Sequence, residues 1–301
     1  MSLIIFGRSD DPQVSHIERT LAALGHQTFI FDGGDFPATH SMHFDVTNNH
    51  TTLYVNDKPI ILADISAVYW HRFHLPEPTK VTRTQREFAR QNCLSTLNVL
   101  FHATPIRWVN GMSSIRYHQS KPLQLVHAKR LGANVAETII TNVVHAAEKF
   151  VSAYSRIIAK PVYGGELAQH LWANKLPEDY WDQFKASGPI TLQRYIQGTN
   201  IRTYVCGQQC VSAELSSDHI DYRTDDETAA IPHSLPQAII RLSLLLCKDM
   251  GMVWCAIDWR LEDGGTYWFL EINPAPYFLR FEQETGLGIT RMLVNELTAY
   301  H

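Results

Sequence analysis

The hydrophobic and polar positions near the end of the chain predict a β-hairpin. Residues 255–260 and 266–274 are rich in β-branched and aromatic side chains. The segment between them contains Glu262-Asp263-Gly264-Gly265, whose glycines can supply the positive φ angles of a tight turn. Two antiparallel strands are therefore expected here, and every second residue of each strand should face the same side.

The first third of the chain has the pattern of an α/β domain. A short buried-type strand at 3–6 is followed by residues 12–24, whose apolar side chains keep helical spacing, and by a second strand at 27–31. No Gly-x-Gly-x-x-Gly motif follows the first strand. A dinucleotide site is therefore not expected in this domain.

Apolar spacing and turn residues predict the other elements. Helices are expected at 83–103, 121–131, 146–154, 234–250 and 289–300, and strands at 51–55, 59–62, 65–70, 135–141, 156–161, 190–196 and 201–206. Phe88 falls on the apolar side of the first of these helices, and a capping box of Ser234 and Gln237 should begin the fourth. The pattern breaks near residue 110, which predicts a domain boundary.

Composition limits the classes of function. The chain has 301 residues, 45% hydrophobic and 19% charged, and a net charge of −4, which argues against a general nucleic-acid binder. No apolar run is long enough to span a membrane, so no membrane partner is expected. Five cysteines without Cys-x-x-Cys spacing indicate reduced thiols and a cytoplasmic protein. Fifteen scattered histidines lack zinc spacing.

Three oxygen donors on the predicted hairpin form a candidate metal site. Glu271 and Asn273 are two residues apart on one strand, and strand pairing can bring Asp258 beside them. Two carboxylates and an amide oxygen suit Mg²⁺, which completes its shell with water and substrate phosphates. The hairpin alone leaves an alternative open, in which these acids face solvent and bind nothing.

Basic residues elsewhere could bind phosphate groups. Lys160 ends an apolar strand just before the glycine pair Gly164-Gly165, whose backbone N–H groups can approach phosphate oxygens. Arg202 lies on a later strand, and Arg223 lies in a polar stretch before the long helix.

The order of these motifs resembles the ATP-grasp ligases, and most closely their microviridin-type, peptide-maturing branch. The segments that carry the resemblance are Lys121, Lys160-Pro161, Gln193-Arg194-Tyr195-Ile196, Asn200-Ile201-Arg202, Asp258 and Glu271-Ile272-Asn273-Pro274. Segments 29–32, 68–72, 108–110 and 284–287 look similar too, so the resemblance covers nearly the whole chain.

The resemblance implies a mixed α/β and α+β architecture, the ATP-grasp fold. It implies an N-terminal pre-ATP-grasp α/β domain at 1–110, a central lid subdomain at 111–195, and a C-terminal antiparallel-sheet subdomain at 196–301 that carries the metal site. In this family ATP phosphorylates a carboxylate, and a nucleophile attacks the acyl phosphate to give an amide or ester, with release of ADP and phosphate.

The resemblance also assigns roles to residues of this chain. It implies nucleotide contacts from Lys121, Lys160, Gly164, Gly165, Gln193, Arg194, Tyr195, Ile196 and Asn200, metal ligation by Asp258, Glu271 and Asn273, and catalytic contacts from Arg202 and Arg223. The expected cofactors are ATP and Mg²⁺, with Mn²⁺ as an alternative metal. Lysines, arginines and Mg²⁺ are also what phosphoryl transfer needs on chemical grounds, because it depends on positioning and charge neutralisation.

Two positions depart from the family pattern. An acid is usual where Arg194 stands in the adenine-binding hinge, and an acid that contacts the ribose hydroxyls is usual where Asn200 stands. Asn200 can still accept a hydrogen bond, but loss of the charged acceptor should weaken ATP binding by about 1 kcal/mol.

Three functions remain open at this stage. The first is a carboxylate ligase acting on a peptide, the second a ligase of free amino acids or small acids, and the third a non-catalytic nucleotide-binding scaffold. A homodimer or homotetramer is a further expectation. The sequence does not identify the carboxylate, the nucleophile or a leader peptide.

Overall fold

The computed structural model describes residues 1–102, 106–163, 169–171, 180–216 and 229–299. The strands are β1 (Ser2–Phe6), β2 (Gln27–Phe31), β3 (His40–Asp45), β4 (His50–Val55), β5 (Lys58–Ile61), β6 (Ile65–Trp70), β7 (Arg107–Val109), β8 (Thr138–Thr141), β9 (Ile157–Pro161), β10 (Gln169–Leu171), β11 (Ile190–Arg194), β12 (Thr199–Cys206), β13 (Gln209–Ser216), β14 (Ala229–His233), β15 (Trp254–Leu261) and β16 (Tyr267–Asn273). The helices are α1 (Pro12–Ala23), α2 (Arg83–His102), α3 (Met112–His118), α4 (Lys121–Arg130), α5 (Val144–Ala153), α6 (Tyr180–Ser187), α7 (Gln237–Asp249), α8 (Leu279–Thr285) and α9 (Ile289–Thr298).

The N-terminal part is built on a parallel sheet. Its strand order is β2-β1-β6-β7, and the antiparallel strands β3, β4 and β5 form a small sheet of their own. The first helix begins where the sequence indicates, because the Asp11 side chain accepts the backbone N–H groups of Gln13 and Val14 at 2.8 and 3.2 Å. Pro12, which lacks a backbone N–H, occupies the first helical turn.

Two antiparallel sheets make up the rest of the described chain. The central sheet has the order β10-β9-β11-β8, and the C-terminal sheet has the order β14-β13-β12-β15-β16. The predicted hairpin is confirmed as β15 and β16, and Gly265 in its turn has a φ of 85°.

The two faces of the C-terminal sheet have different neighbours. One face is apolar and packs beneath α4 and α7, with Trp259 and Ile272 fully buried there. On the other face, Tyr204 and Trp254 pack against α1, α9 and the parallel sheet. Between that apolar region and the central sheet, the second face carries charged side chains. These side chains, which include Arg202, Asp258 and Glu271, form a polar strip on an otherwise well-packed sheet.

The sequence predicts most of the long elements and misses several short ones. The elements that it did not predict are β3, β7, β10, β13, β14, α3, α6 and α8. The strand expected at 135–141 begins only at Thr138. The unpredicted helices α3, α6 and α8 span only seven or eight residues, which is too short for the apolar period to be distinctive.

Two local expectations are wrong. Phe88 is 72% exposed, because the buried stripe of α2 runs through Cys93, Leu97 and Leu100. The helix predicted to start with a capping box of Ser234 and Gln237 is α7. Its N-cap is Pro236, and no side chain caps it.

The domain division at 110 and 195 stays a prediction, and two observations bear on it. The parallel sheet ends with β7 at Val109, close to the first expected boundary. However, α4 lies in the expected central subdomain and packs on the C-terminal sheet, where Leu125 and Ala128 join the core beneath β12, β15 and β16.

The cysteines form no disulfide, and the helices show no membrane-spanning character among the described residues. All five cysteines are free thiols, and four of them are buried. None of the described helices combines the length and the apolar character that a bilayer span requires.

Candidate active site

The three candidate metal ligands lie on one face of the β15–β16 hairpin. Asp258 pairs directly with Glu271, and Asn273 follows on the same face, opposite Ala256. The register shifts immediately after Asp258, so that Trp268 and Glu271, three residues apart on β16, also share this face. The Asn273 side-chain oxygen accepts the backbone N–H of Ala275 at 2.9 Å, which holds the amide in place and leaves the oxygen a second lone pair.

Arg202 is positioned against Asp258 by the neighbouring strand. It lies directly opposite Asp258 in the β12–β15 pairing, and its Nη1 donates to both carboxylate oxygens at 3.0 Å. Both side chains are buried. Burial raises the pKa of Asp258 to about 6 even though the charge of Arg202 favours the carboxylate.

Lys121 occupies the first position of α4 and reaches Glu271. Its Nζ lies 2.5 Å from Oε2 of Glu271. Desolvation by itself would raise the pKa of Glu271, but the charge and hydrogen bond of Lys121 prevail and lower it to about 2. Glu271 is therefore a carboxylate at neutral pH.

Lys160 reaches the same region from the central sheet. Its Nζ donates to Oε1 of Gln193 at 3.1 Å, and Nε2 of Gln193 donates to Thr138 at 2.8 Å. Burial lowers the pKa of Lys160, the charge of Lys121 lowers it further, and Glu271 opposes both. The two lysines predicted to contact the nucleotide thus lie within electrostatic range of each other and of Glu271.

The predicted hinge, Gln193 to Ile196, crosses from the central to the C-terminal sheet. The backbone N–H groups of Arg194 and Tyr195 donate to the carbonyls of Glu137 and Arg156 at 2.9 and 3.1 Å, so two of the amides in the hinge are engaged within the protein. The Arg194 side chain pairs with Glu137 and lies 5.1 Å from the ring centre of Trp268. The side chain of Arg194, which stands where the family usually has an acid, is therefore paired within the protein.

Arg260 is a site residue that the sequence analysis missed. It lies on β15 two residues after Asp258, on the same face, and donates to Oδ1 of Asn200 at 3.0 Å and to the Ile196 carbonyl at 3.1 Å. Asn200 was expected to accept a hydrogen bond from the ribose. In this structure its oxygen accepts from Arg260, and no hydrogen-bond partner is found among the described residues for its buried Nδ2. Alternate residues of a strand face the same side, so counting two residues on from Asp258 could have identified Arg260.

Tyr195 is held between two arginines at the same end of the site. The guanidinium of Arg156 lies 3.9 Å from the centre of its ring, and Nη2 of Arg260 donates to its hydroxyl at 3.1 Å. A ring stacked in this way has restricted freedom, which gives the hinge a defined shape.

Three predicted site residues lie outside the described residues. They are Gly164, Gly165 and Arg223. Of the other predicted residues, Lys121, Lys160, Arg202, Asp258, Glu271 and Asn273 converge on the polar strip, and Gln193, Arg194, Tyr195, Ile196 and Asn200 line its hinge end.

The donor set at the hairpin fits a hard divalent cation. Two acids and one amide oxygen share one face, and the two cations beside them show that the protein already balances negative charge at this point. Among the described residues no group of three or more His, Cys, Asp or Glu side chains is arranged to hold a metal. A metal here would therefore depend on Asn273, water and substrate oxygens in addition to the two carboxylates.

Comparison with protein families gives one match to the N-terminal part of the chain. Residues 1–116 match the family model described as the MvdD pre-ATP grasp domain. No match was found among curated proteins.

Similar solved structures cover almost the entire chain. A RiPP-associated ATP-grasp ligase of Chryseobacterium gregarium, in complex with ADP and a leader and core peptide, has a TM-score of 0.88 at 22% identity, over 98% of this chain and 96% of that chain. The ATP-grasp ligase PsnB complexed with minimal precursor has a TM-score of 0.85 at 23% identity, over 98% and 97%. The macrocyclase MdnC of Microcystis aeruginosa MRC, bound with precursor peptide MdnA, has a TM-score of 0.84 at 21% identity, over 99% of both chains.

These likenesses establish the class of fold. The chain has the ATP-grasp fold along its whole length. Within that class, its first 116 residues match a pre-ATP-grasp domain model, and the similar structures include a macrocyclase bound with a precursor peptide and ATP-grasp ligases complexed with minimal precursor or with a leader and core peptide. The expected ATP-grasp fold is thereby confirmed.

Proposed function

We propose that this protein is an ATP-dependent, ADP-forming ligase that activates a carboxylate as an acyl phosphate and joins it to an amine or hydroxyl of a peptide. The observation that carries the proposal is the convergence of Arg202, Lys121 and Lys160 on the strip that holds Asp258 and Glu271. The precursor peptides bound to similar ligases support a peptide substrate.

The order of residues along β12 and β15 suggests how the nucleotide lies. On the face that carries the site, Asn200 and Arg260 form the pair nearest the hinge, and Arg202 and Asp258 form the pair two residues further on. Two residues along a strand span about 7 Å. A nucleotide with its base at the hinge would place its sugar beside Asn200 and Arg260 and its phosphates at Arg202.

Mg²⁺ is the proposed metal, with Mn²⁺ as the alternative. Asp258, Glu271 and Asn273 would hold it, and when bound it supplies positive charge to the transferring phosphate oxygens. The similar ligase PsnB has been solved with Mg and ADP.

The positively charged side chains of the protein are proposed to stabilise the negative charge that the reaction moves between phosphate and carboxylate oxygens. An oxygen of the substrate carboxylate attacks the γ-phosphorus, and the bond to ADP breaks. The amine or hydroxyl then attacks the acyl carbon, loses its proton, and displaces phosphate. Arg202 is proposed to stabilise charge on the phosphoryl group and the acyl phosphate, because a guanidinium fork matches phosphate oxygens. Arg223 is proposed for the same role.

Two alternatives are retained. A ligase of free amino acids or small acids would use the same residues and differ only in its substrate. A non-catalytic scaffold would bind nucleotide without turnover. The complete set of two acids, one amide and an arginine favours catalysis over the scaffold, because a scaffold has no need of them.

One experiment separates these possibilities. The protein is incubated with ATP, Mg²⁺ and candidate peptides, ADP is quantified, and the peptide is measured by intact mass. Peptide-dependent ADP release with loss of one water per bond supports the proposal. ADP release driven only by free amino acids favours the small-acid ligase, nucleotide binding without turnover favours the scaffold, and AMP with pyrophosphate contradicts ATP-grasp chemistry.

Three further features complete the proposal. We propose the three-part division at 110 and 195, a homodimer or homotetramer, and a cytoplasmic location, the last supported by the five free thiols. Light scattering of the purified protein tests the oligomeric state.

A further inference from the structure

The strand that carries Glu271 and Asn273 lies at the edge of its sheet. In the order β14-β13-β12-β15-β16, the last strand pairs with β15 on one side, and among the described residues its other side makes only an isolated bridge, from Trp268 to Asn134. Alternate residues of an edge strand point their backbone N–H and C=O groups away from the sheet. On β16 one such residue is Ile272, which stands between the two candidate metal ligands.

The side chain of Gln124 occupies the position that another strand would take. Its Oε1 accepts the N–H of Ile272 at 3.1 Å, and its Nε2 donates to the Ile272 carbonyl at 3.1 Å. Nε2 also donates to the carbonyl of His118 at 3.1 Å. Gln124 is only 1% exposed, so these bonds are sheltered from water.

His118 adds a second contact to the same carbonyl. Its Nδ1 lies 2.8 Å from the Ile272 oxygen, an acceptor, so Nδ1 carries the proton and donates. The Ile272 peptide groups are thus held by one amide and one imidazole, both outside the sheet.

Two residues of helix α4 contact β16 at the site, one through the Glu271 side chain and one through the backbone of Ile272. Lys121 and Gln124 are three residues apart, on the same side of the helix. Lys121 reaches the Glu271 carboxylate, while Gln124 fixes the peptide groups of the next residue. A small rotation of the β16 backbone would move Glu271 and Asn273 relative to Asp258, and a hard cation tolerates little error in ligand position.

We propose that Gln124 is a positioning residue for the metal site, which it serves through the backbone of Ile272, with His118 as its partner. The proposal rests on the proposed function, because it assumes that Asp258, Glu271 and Asn273 bind Mg²⁺ with the nucleotide. Neither residue is among the candidate site residues identified from the sequence.

The direct test is Gln124→Met, which keeps the length of the side chain and removes its hydrogen bonds. Binding of ADP is measured by calorimetry at increasing Mg²⁺, and the Mg²⁺ concentration that gives half of the maximal gain in affinity is compared. We expect this concentration to rise about tenfold, since loss of such supporting contacts typically lowers metal affinity by 10- to 100-fold. ADP binding without Mg²⁺ should stay unchanged.

Asn134→Ala is the matched control. The Asn134 side chain donates to the Tyr267 carbonyl at 3.3 Å, at the far end of the same strand. Its removal should leave the Mg²⁺ requirement unchanged. An equal shift in both variants would show a general loosening of β16 and would overturn the positioning role.

A second pair of variants keeps the inference testable if Gln124→Met does not fold. His118→Phe removes the donor to Ile272, and His118→Asn retains an amide donor near the position of Nδ1. We expect His118→Phe to raise the Mg²⁺ concentration needed for half of the gain in ADP affinity. We expect His118→Asn to keep that concentration near the wild-type value. If wild-type ADP binding does not depend on Mg²⁺, the proposed function fails. If it does depend on Mg²⁺ and neither Gln124→Met nor His118→Phe alters that dependence, only the present inference fails.

Discussion

Arg202 and Asp258 face each other across β12 and β15, with one guanidinium nitrogen 3.0 Å from each carboxylate oxygen. Both side chains are buried, so each offsets the cost of removing the other from water. Arg202 therefore has a structural role in addition to its proposed role at the phosphoryl group. A variant that removes the charge would disturb both.

Arg202→Lys separates the two roles, because it keeps the charge and loses the planar donor fork. We expect the rate of acyl phosphate formation, trapped with hydroxylamine as the hydroxamate, to fall on the order of 10²-fold with the fold retained. Arg202→Ala should also lower the free energy of unfolding by about 3 kcal/mol, because it leaves Asp258 buried without its cation.

The control for Arg202→Lys is Arg107→Lys, the same exchange in an ion pair with Glu296 away from the site. Its trapping rate should match the wild type. Hydroxamate formation at the wild-type rate in Arg202→Lys would contradict the assignment of Arg202 to the reacting phosphate.

Glu271→Gln should abolish ADP release and leave the fold intact. The exchange preserves the shape of the side chain and removes the charge that a metal ligand needs. The Glu271 side chain is 36% exposed, so losing its pair with Lys121 should cost about 1 kcal/mol of stability or less. Full turnover by a folded Glu271→Gln protein would remove Glu271 from the metal site. Glu87→Gln, in an exposed pair with Arg90 on α2, is the charge-matched control.

Lys160→Ala should weaken ADP binding about tenfold, equivalent to about 1.4 kcal/mol, with little change in the melting temperature of the free protein. Lys160 donates to Gln193 and is not paired with an acid within salt-bridge distance among the described residues, so its charge is available to a phosphate. Lys121→Ala should weaken binding as well, with a larger effect in the presence of Mg²⁺ because it also releases Glu271.

Calorimetry with and without Mg²⁺ distinguishes the two lysines. Lys149→Ala, at an exposed position on α5, should bind ADP as the wild type does. Unchanged affinity in both site variants would mean that neither lysine contacts the nucleotide.

Asn110→Ala should lower the free energy of unfolding by about 3 kcal/mol or more. The buried Asn110 amide donates to the carbonyls of Trp254 and Pro274 at 2.5 and 2.6 Å and accepts the N–H groups of Val253 and Trp254 at 2.7 and 3.2 Å. It thus ties both ends of the hairpin to the N-terminal sheet, and its loss leaves buried backbone groups without partners.

Urea unfolding measures this change. Ser114→Ala, which removes a single bond to the Gly251 carbonyl, is the control and should cost about 1 kcal/mol. A loss of 1 kcal/mol or less in Asn110→Ala would contradict the role of Asn110 as the tie between the two parts.

The hairpin, and the placement of its candidate metal ligands on one face, could be predicted from the sequence because the signals are local. Turn glycines and the two-residue period bring Glu271 and Asn273 to one face whatever surrounds them. Only the register with Asp258 had to be assumed, and the strand pairing confirms it.

The contacts of Gln124, Arg260 and Asn110 could not be predicted in the same way. Gln124 and Ile272 are separated by 148 residues, and Arg260 and Asn200 by 60. Nothing in a local pattern distinguishes a glutamine that will pair with a distant strand edge from one that will face solvent. These assignments need the tertiary pairing of the sheets.

The last prediction concerns pH and the tautomer of His71. Oε1 of Gln13 accepts the backbone N–H groups of Phe278 and Leu279 at 2.7 and 3.2 Å, which fixes the orientation of the amide. Its Nε2 therefore donates, and Nδ1 of His71, 3.1 Å away, accepts. The ring proton lies on Nε2, which donates to Asp11 at 3.1 Å. The folded protein thus holds His71 neutral.

The electrostatic surroundings of His71 also favour the neutral ring. Burial lowers the pKa of His71 below 6.5, Asp11 opposes this, and Arg72 and His74 lower it further. For Asp11, burial raises the pKa, but hydrogen bonds from the hydroxyl of Tyr277, from His71 and from the backbone N–H of Val14 lower it below 3.8. Any change in stability from Asp11 therefore falls in a more acidic range than that from His71.

The sign of the pH effect follows from these shifts. Above pH 6.5 His71 is neutral in both the folded and unfolded chain, and its contribution to stability is fully present. As the pH falls below 6.5 the unfolded chain takes up a proton that the folded protein resists, and stability declines by at most about 1.4 kcal/mol per pH unit. Urea unfolding of wild type and His71→Gln between pH 8 and pH 5 tests this: their difference should be constant above about pH 7 and shift in favour of the variant below pH 6.5. A difference that stays constant over the whole range would show that His71 takes up its proton equally in the folded and unfolded states.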